Sequence, residues 1–289
     1  MAEKTETHDE RIRAAFDTLT PAERQLASHI LKNYPVAALG SITALAKAAG
    51  VSTPTVVRLV QKIGFKGYPD FQTGLREEVE ERLVSPLVKH DRWASDAPKG
   101  HILNAFADAV VGNLHATLGH IDHAEFDEVC RLMADRDRRI YAMGGRITHA
   151  MADYFVTHMK VIREGVTLIS DMSNTWPPAI LDMSEGDILL VFDIRRYENA
   201  VLQFVDVARE QGAEVVLVTD QWVSPAAEHA RFRFSAHVEV PSAWDSSVSM
   251  MVLVETLLAG VQQQTWDETQ ARMKRLEDLY ARTRFFRRK

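Results

Sequence analysis

Two kinds of hydrophobic spacing occur along the chain, and they divide it. From Thr20 the run TPAERQLASHILKNYPVAAL puts Leu26, Ile30 and Leu31 at helical spacing. Thr20 is placed to cap and Pro21 suits a first turn, so a short amphipathic helix is expected to end before Pro35. The next run, SITALAKAAGVSTPTVVRLVQKIGFKGY, predicts a helix capped by Ser41 that carries Leu45, Ala46 and Ala49 and breaks at Gly50, then a second helix from Ser52. The small Ala46, the turn at Gly50 and Val51, and the apolar Val56 and Leu59 have the spacing at which two short helices cross and pack, a helix-turn-helix. A charged helix, LREEVEERL, follows as far as Ser85 and Pro86. A Pro, Ser, Asp and Gly mixture then marks a connector.

Beyond the connector the spacing changes. The segments RRIYAM, GVTLI, DILLVF, AEVVLVT and HVEV read as five strands. Helices are expected from about Ile147, near Thr175, from Glu198 and from about Asp245, with two more, Ile102 to Leu118 and Ala124 to Ala134, ahead of the first strand. Strand and helix in alternation predict a parallel sheet covered on both faces. The expectation is thus an all-α helix-turn-helix domain over 1–84, a linker over 85–100, an α/β doubly wound five-stranded parallel-sheet domain over 101–268, and a C-terminal helix with a basic tail over 269–289.

Composition limits the function. A chain of 289 residues has room for two cores, and 46% hydrophobic with 26% charged residues is ordinary for a globular protein. No apolar run is long enough to span a bilayer, and the opening MAEKTETHDE is charged where a signal peptide needs an apolar stretch, so a cytoplasmic protein with no membrane partner is expected. The single cysteine, Cys130, excludes an intrachain disulfide and reads as packing. A net charge of -6 gives no global attraction to nucleic acid, so any DNA contact needs a local basic surface.

Such a surface exists in the helix-turn-helix segment. Between Ile42 and Arg76 the cations Lys47, Arg58, Lys62, Lys66 and Arg76 face one acid, Asp70. If Val56, Leu59 and Val60 turn inward, Thr53, Thr55, Val57, Arg58 and Gln61 fall on the open face. Arg58 has the reach for guanine edges or phosphate, the Thr hydroxyls suit either, Ser52 opens the recognition helix, and Lys62 and Lys66 suit phosphate. The stretch SITALAKAAGVSTPTVVRLVQKIGFKGYPDF, with its Val51 and Ser52 start, its Thr55 to Arg58 stretch and its Gly64-Phe65-Lys66-Gly67-Tyr68 exit, resembles the N-terminal domain of the RpiR family of bacterial regulators. That resemblance implies a transcription regulator that binds double-stranded operator DNA as a homodimer or homotetramer.

In an open parallel sheet ligands settle beyond the carboxyl ends of the strands, where the strand order reverses. Two loops there are expected to matter. The first, GGRITHAMADYF, offers Gly144 and Gly145 for close backbone approach, with Arg146 and the hydroxyl of Thr148 beside them. The second, DIRRYENA, offers Asp193, Arg195, Arg196, Tyr197 and Glu198, and two guanidiniums suit an anionic guest. Residues from about Ile102 to Trp266 resemble the sugar isomerase (SIS) domain, which has a flavodoxin-like fold and is the usual second half of RpiR-family regulators. The resemblance implies that serines and glycines in these loops hold the phosphate of a sugar phosphate. Here Gly144 matches the leading glycine, but Arg146 stands at the second glycine position and Thr148 at the serine. In the second loop Asp193 and Arg195 stand at the serines, Arg196 at the glycine and Glu198 at the terminal hydroxyl. The ligand expected is therefore a small anionic metabolite, a sugar phosphate by resemblance or another anion such as a carboxylate. An arginine filling the pocket is the further alternative.

No catalytic residue, metal site or cofactor is expected. His115, His120 and His123 do not share one helix face. The competing reading is a sugar-phosphate isomerase of the SIS type, with His149 or Glu164 as conceivable bases. Asp220 and Gln221, and Ser246 and Ser247, are secondary candidates at the same sheet edge. The terminal ARTRFFRRK reads as a solvated tail.

Overall fold

The computed structural model describes residues 6–95 and 101–284, which fall into two compact units. One contains the residues up to 95 with Gln221–Val223 and Pro241–Trp244; the other contains the rest.

The first unit is helical, and its chain reversals are written in caps and glycines. Helix α1 (His8–Ala15), which the hydrophobic pattern did not announce, starts in a capping box of Thr7 and Glu10. Helix α2 (Pro21–Lys32) starts in a second box, of Thr20 and Glu23, with proline at its first position. In α3 (Ile42–Ala48) the Ser41 Oγ accepts the Ala44 N–H at 3.2 Å. The helix ends where Gly50 enters the left-handed region at φ 67°. There the Gly50 N–H reaches the Lys47 carbonyl at 3.2 Å and the Val51 N–H the Ala46 carbonyl at 2.9 Å. This Schellman pair delivers the chain directly to Ser52, the cap of α4 (Thr53–Lys62). Helix α5 (Tyr68–Leu83) follows, and α6 (Pro86–Ser95) forms within the stretch expected to be a connector.

Leu26, Ile30, Leu45, Val56, Leu59, Phe71 and Leu75 converge to 1% exposure or less. Each such burial contributes roughly 1.5–3 kcal/mol, so this core stabilises the unit far more than its surface ion pairs do. Helix α1 is held by His8, whose ring stacks on Phe65 with centroids 4.4 Å apart and whose Nε2 lies 2.8 Å from the Phe71 carbonyl. Gly74 makes room for it, because a Cβ there would stand 2.7 Å from His8 Cε1.

The second unit is an α/β sandwich. Helices α7 (Ile102–Gly119) and α8 (His123–Ala134) lead into β1 (Ile140–Gly144), α9 (His149–Ile162), β2 (Val166–Leu168), α10 (Trp176–Leu181) and β3 (Ile188–Asp193). Then come α11 (Asn199–Glu210), β4 (Glu214–Asp220), β5 (Phe232–Ala236), α12 (Val248–Gln264) and α13 (Trp266–Thr283). The five strands are all parallel in the order β2-β1-β3-β4-β5. β1 and β3 are buried along their whole length, and β4 is buried after its first residue, as near-continuous apolar runs covered on both faces should be. Helices α10 and α11 cover one face, and α8, α9 and α12 pack together. Cys130 on α8 is 1% exposed against Gly260 of α12, and burial pushes its thiol up to about 12.

The fifth strand differs from expectation. It is FRFSA, and HVEV lies just past it; the His237 N–H goes to Thr117 Oγ1 at 2.9 Å instead of into the sheet. An edge strand buries alternate residues, so Arg233 and Ser235 interrupt its apolar signal. Register sets the carboxyl ends in a row: Gly144 lies beside Phe192, Asp193 beside Thr219, and Asp220 beside Ala236. After β1 the chain moves to one side, to β2, and after β3 to the other, to β4, so the topological switch lies between β1 and β3.

Candidate functional sites

The helix-turn-helix unit offers one polar stripe. Ser52, Arg58 and Gln61 are exposed, and Thr53 and Val57 are half-buried on the same side of α4, while Val56, Leu59 and Val60 are at 0% exposure. Thr55 departs from its expected place. It is 4% exposed, and its Oγ1 lies 2.9 Å from Ser52 Oγ, inside the cap. There it accepts from Arg58 Nη2 at 3.3 Å, so it steers the guanidinium instead of facing outward. Lys62 is also engaged within the unit: Nζ donates to the Thr18 carbonyl at 2.6 Å and to Glu23 Oε2 at 3.2 Å. The capping bond from the Thr20 backbone, opposed by burial and assisted by Lys62, holds the Glu23 carboxyl below its ordinary value. Lys66 is exposed, and its backbone N–H donates to Asp70 Oδ2 at 2.9 Å. The stripe thus presents hydroxyl, amide and guanidinium groups at one helix face, the donor and acceptor types that read base edges and phosphate.

The crevice between the β1 and β3 loops is built differently. Gly144 has no space for a side chain, since a Cβ would stand 2.5 Å from Thr148 backbone atoms. Thr148, expected to offer its hydroxyl to a ligand, is 3% exposed and donates Oγ1–H to the Phe192 carbonyl at 2.7 Å, tying the first loop to the end of β3. Glu198, a site candidate that stands at the family's terminal hydroxyl position, reaches across the switch point and accepts the Arg146 N–H at 2.8 Å. Its carboxylate lies so close to Gly145 that a Cβ there would stand 2.7 Å from Oε1. Asp220, at 0% exposure, accepts the Arg195 N–H at 2.6 Å and the Tyr197 hydroxyl at 2.8 Å. Asp193, at 4% exposure, accepts the Ser224 hydroxyl at 2.5 Å. Burial pushes the Asp193 carboxyl up to about 7; Asp220 and Glu198 push the same way, against the Ser224 bond.

The arginines divide. The Arg195 side chain, 5% exposed, turns to Asp245 and Glu239, each at 3.4 Å, and is not free for a guest. Arg146 and Arg196 are exposed, and Arg196 sits at φ 67°, a left-handed conformation that a non-glycine residue adopts at a cost. Sequence reasoning missed Ser224, Glu239 and Asp245 as partners of these loops. The one available signal was that each lies after β4 or β5, on the same sheet edge.

The remaining candidates scatter. Glu164 stands ahead of β2, at the opposite edge of the sheet from the crevice. His149 opens α9 next to Thr148, with its Nδ1 buried and without a hydrogen-bond partner among the described residues. Ser246 accepts the Val248 N–H at 3.3 Å, and Ser247 is the N-cap residue of α12. Gln221 is buried directly after β4. His115 and His123 are exposed, and His120 Nδ1 lies 2.7 Å from the Ala116 carbonyl. Of the basic tail, residues 285–289 lie outside the described residues.

Known proteins repeat this two-part plan. Residues 7–82 match the helix-turn-helix domain of the rpiR family and residues 132–260 match the SIS domain. The transcriptional regulator HexR of Pseudomonas aeruginosa is 24% identical over 96% of this chain and 96% of its own length. The bifunctional protein glk of Paraburkholderia xenovorans is 29% identical over 87% of this chain, but the match spans only 39% of that longer protein. Among solved structures, the sugar isomerase domain of an RpiR transcription factor from Sphaerobacter thermophilus covers 61% of this chain and 97% of its own, with TM-score 0.57 at 18% identity. The Vibrio vulnificus NanR protein complexed with ManNAc-6P covers 95% of this chain and 98% of its own, with TM-score 0.55 at 19% identity. Helix-turn-helix and SIS domains in this order, and HexR matched along nearly its whole length, place the chain in the RpiR family of transcriptional regulators.

Proposed function

We propose that this regulator reads operator DNA with the α4 stripe, as a homodimer or homotetramer on paired half-sites, and that a small anionic metabolite in the β1/β3 crevice modulates that binding. The observation that carries the reading is the stripe itself: Arg58, Gln61 and Ser52 stand exposed on one helix face, in a segment where five cations face one acid. Helix-turn-helix proteins place such a face in the major groove and pair two of them on half-sites one turn apart. A sugar phosphate is the favoured effector class, because the structural relative NanR is complexed with ManNAc-6P and the crevice occupies the switch point where such ligands sit. Arg146 and Arg196 are the groups that would meet its charge. No helix of the described residues is long and apolar enough to cross a membrane.

Fluorescence polarisation on DNA from the gene's own upstream region tests the reading. Specific binding that weakens steeply with salt and shifts on addition of sugar phosphates is expected. Absence of any specific complex at low salt overturns it. A SIS-type isomerase is the second reading, favoured by the unpartnered Nδ1 of His149 beside the crevice. It requires His149-dependent interconversion of ketose and aldose phosphates.

A further inference from the structure

We propose that Glu198 is an internal anion that closes the effector crevice, and that an anionic effector binds by displacing it. This rests on the crevice being the effector site. Two carboxylates of the chain already occupy backbone N–H groups of its two loops, Glu198 that of Arg146 and Asp220 that of Arg195, and a third, Asp193, accepts the Ser224 hydroxyl. Two of them are fixed. Asp193 and Asp220 are at 4% and 0% exposure, and each is held by a hydroxyl, that of Ser224 and that of Tyr197 respectively. Glu198 is exposed, and its Oε1 lies against the bare Cα of Gly145, where a phosphate or carboxylate oxygen entering the first loop would lie. Two anions cannot share one N–H at that distance, because like charges in van der Waals contact repel even beside solvent.

The bond is also mechanical. It joins residues 52 positions apart, one after β1 and one after β3, so it clasps the switch point shut. Displacing Glu198 releases the start of α11 from the loop that starts α9. The exposed Arg146 and Arg196 remain to neutralise the incoming charge. Asp193 follows directly after Phe192, whose carbonyl Thr148 holds, so the floor of the crevice stays in place while the clasp opens.

The experiment titrates the full chain with inorganic phosphate by calorimetry, comparing wild type with Glu198→Ala, Glu198→Gln and Glu210→Gln. Glu210 lies at the far end of α11 and is exposed, so its variant removes a carboxylate charge away from the crevice. Phosphate is expected to bind Glu198→Ala at least tenfold more tightly than wild type, and Glu198→Gln between the two. Glu210→Gln should match wild type. Adding Gly145→Leu to Glu198→Ala should abolish the gain by filling the vacated place. Equal affinity of wild type and Glu198→Ala overturns the clasp while leaving the crevice as an anion site. An equal gain from Glu210→Gln overturns it as a general charge effect. A gain that survives Gly145→Leu, or no binding by any variant, overturns the clasp together with the effector reading.

Discussion

The two units use the starts of their helices in opposite ways. In the helix-turn-helix unit the α4 cap is closed by Ser52 and Thr55, small hydroxyls that satisfy the first turn and leave Arg58 and Gln61 directed to the outside. In the sheet unit the loops ahead of α9 and α11 are closed by acids from elsewhere in the fold, Glu198, Asp193 and Asp220, so the groups that would meet a ligand are already engaged with each other. A surface that reads a large polyanion can be left open, because solvent satisfies it until DNA arrives. A crevice with buried polar groups cannot, because an unpaired buried donor costs about 1–3 kcal/mol. On the readings proposed above, the contrast separates a preformed interface from one that must exchange partners to bind.

The largest expected effect tests the internal balance of the crevice. Asp193 holds its proton to about 7 in the folded chain against 3.8 as the ordinary value. Folding therefore takes up a proton between those values, and the stability is fully present in acid and lost as pH rises from about 4 through 7. That difference corresponds to at most roughly 4 kcal/mol. Urea unfolding of Asp193→Asn and wild type at pH 5 and pH 8 should show the variant gaining on wild type as the pH rises. A constant difference between the two would show that Asp193 is ionised at both.

Next comes the open surface. Arg58→Ala should weaken operator binding by about 1–3 kcal/mol and flatten discrimination among operator variants, with unfolding nearly unchanged. Binding to mutated operators that still tracks the wild-type pattern would remove Arg58 from base readout. Ser52→Ala, which deletes the cap, should lower the stability of the helical unit by about 1 kcal/mol, measured as a shift in its unfolding midpoint. The smallest effect compares two lysines. Lys66→Ala should reduce the slope of log Kobs against log salt by about 1. Lys62→Ala should reduce it less, since its Nζ is held by Thr18 and Glu23; equal slope changes would show that Lys62 leaves those partners on DNA.

The helical half was largely legible in the sequence because its determinants are local. Ser41, Gly50 and Ser52 specify a cap, a left-handed stop and a second cap within twelve residues, and Leu45, Val56 and Leu59 supply the faces that meet. Where the reading failed, non-local contacts decided. Helix α1 depends on His8 fitting beside Gly74 and Phe65, a packing match with no periodic trace. Thr55 was expected on the open face by helical period, but it stands one turn before the buried Leu59 and the cap draws it in. In the sheet half, β1, β3 and β4 announce themselves as apolar runs, whereas the alternating edge strand β5 was displaced by one segment in the reading.

What the sequence determined by itself is therefore the identity of most elements, the two helices of the helix-turn-helix and the position of two glycine- and arginine-bearing loops after β1 and β3. Periodicity, caps and glycines act over a few residues and can be read in order. Tertiary structure alone decided what those loops do with their charges. The register that sets Gly144 beside Phe192 and Asp193 beside Thr219 brings Glu198 to Arg146 and Asp220 to Arg195. Residues that stood as candidates to meet a guest are paired with one another across 52 and 25 positions, because the parallel register brings their loops together, and at the buried Asp220 the polar groups must be satisfied within the fold.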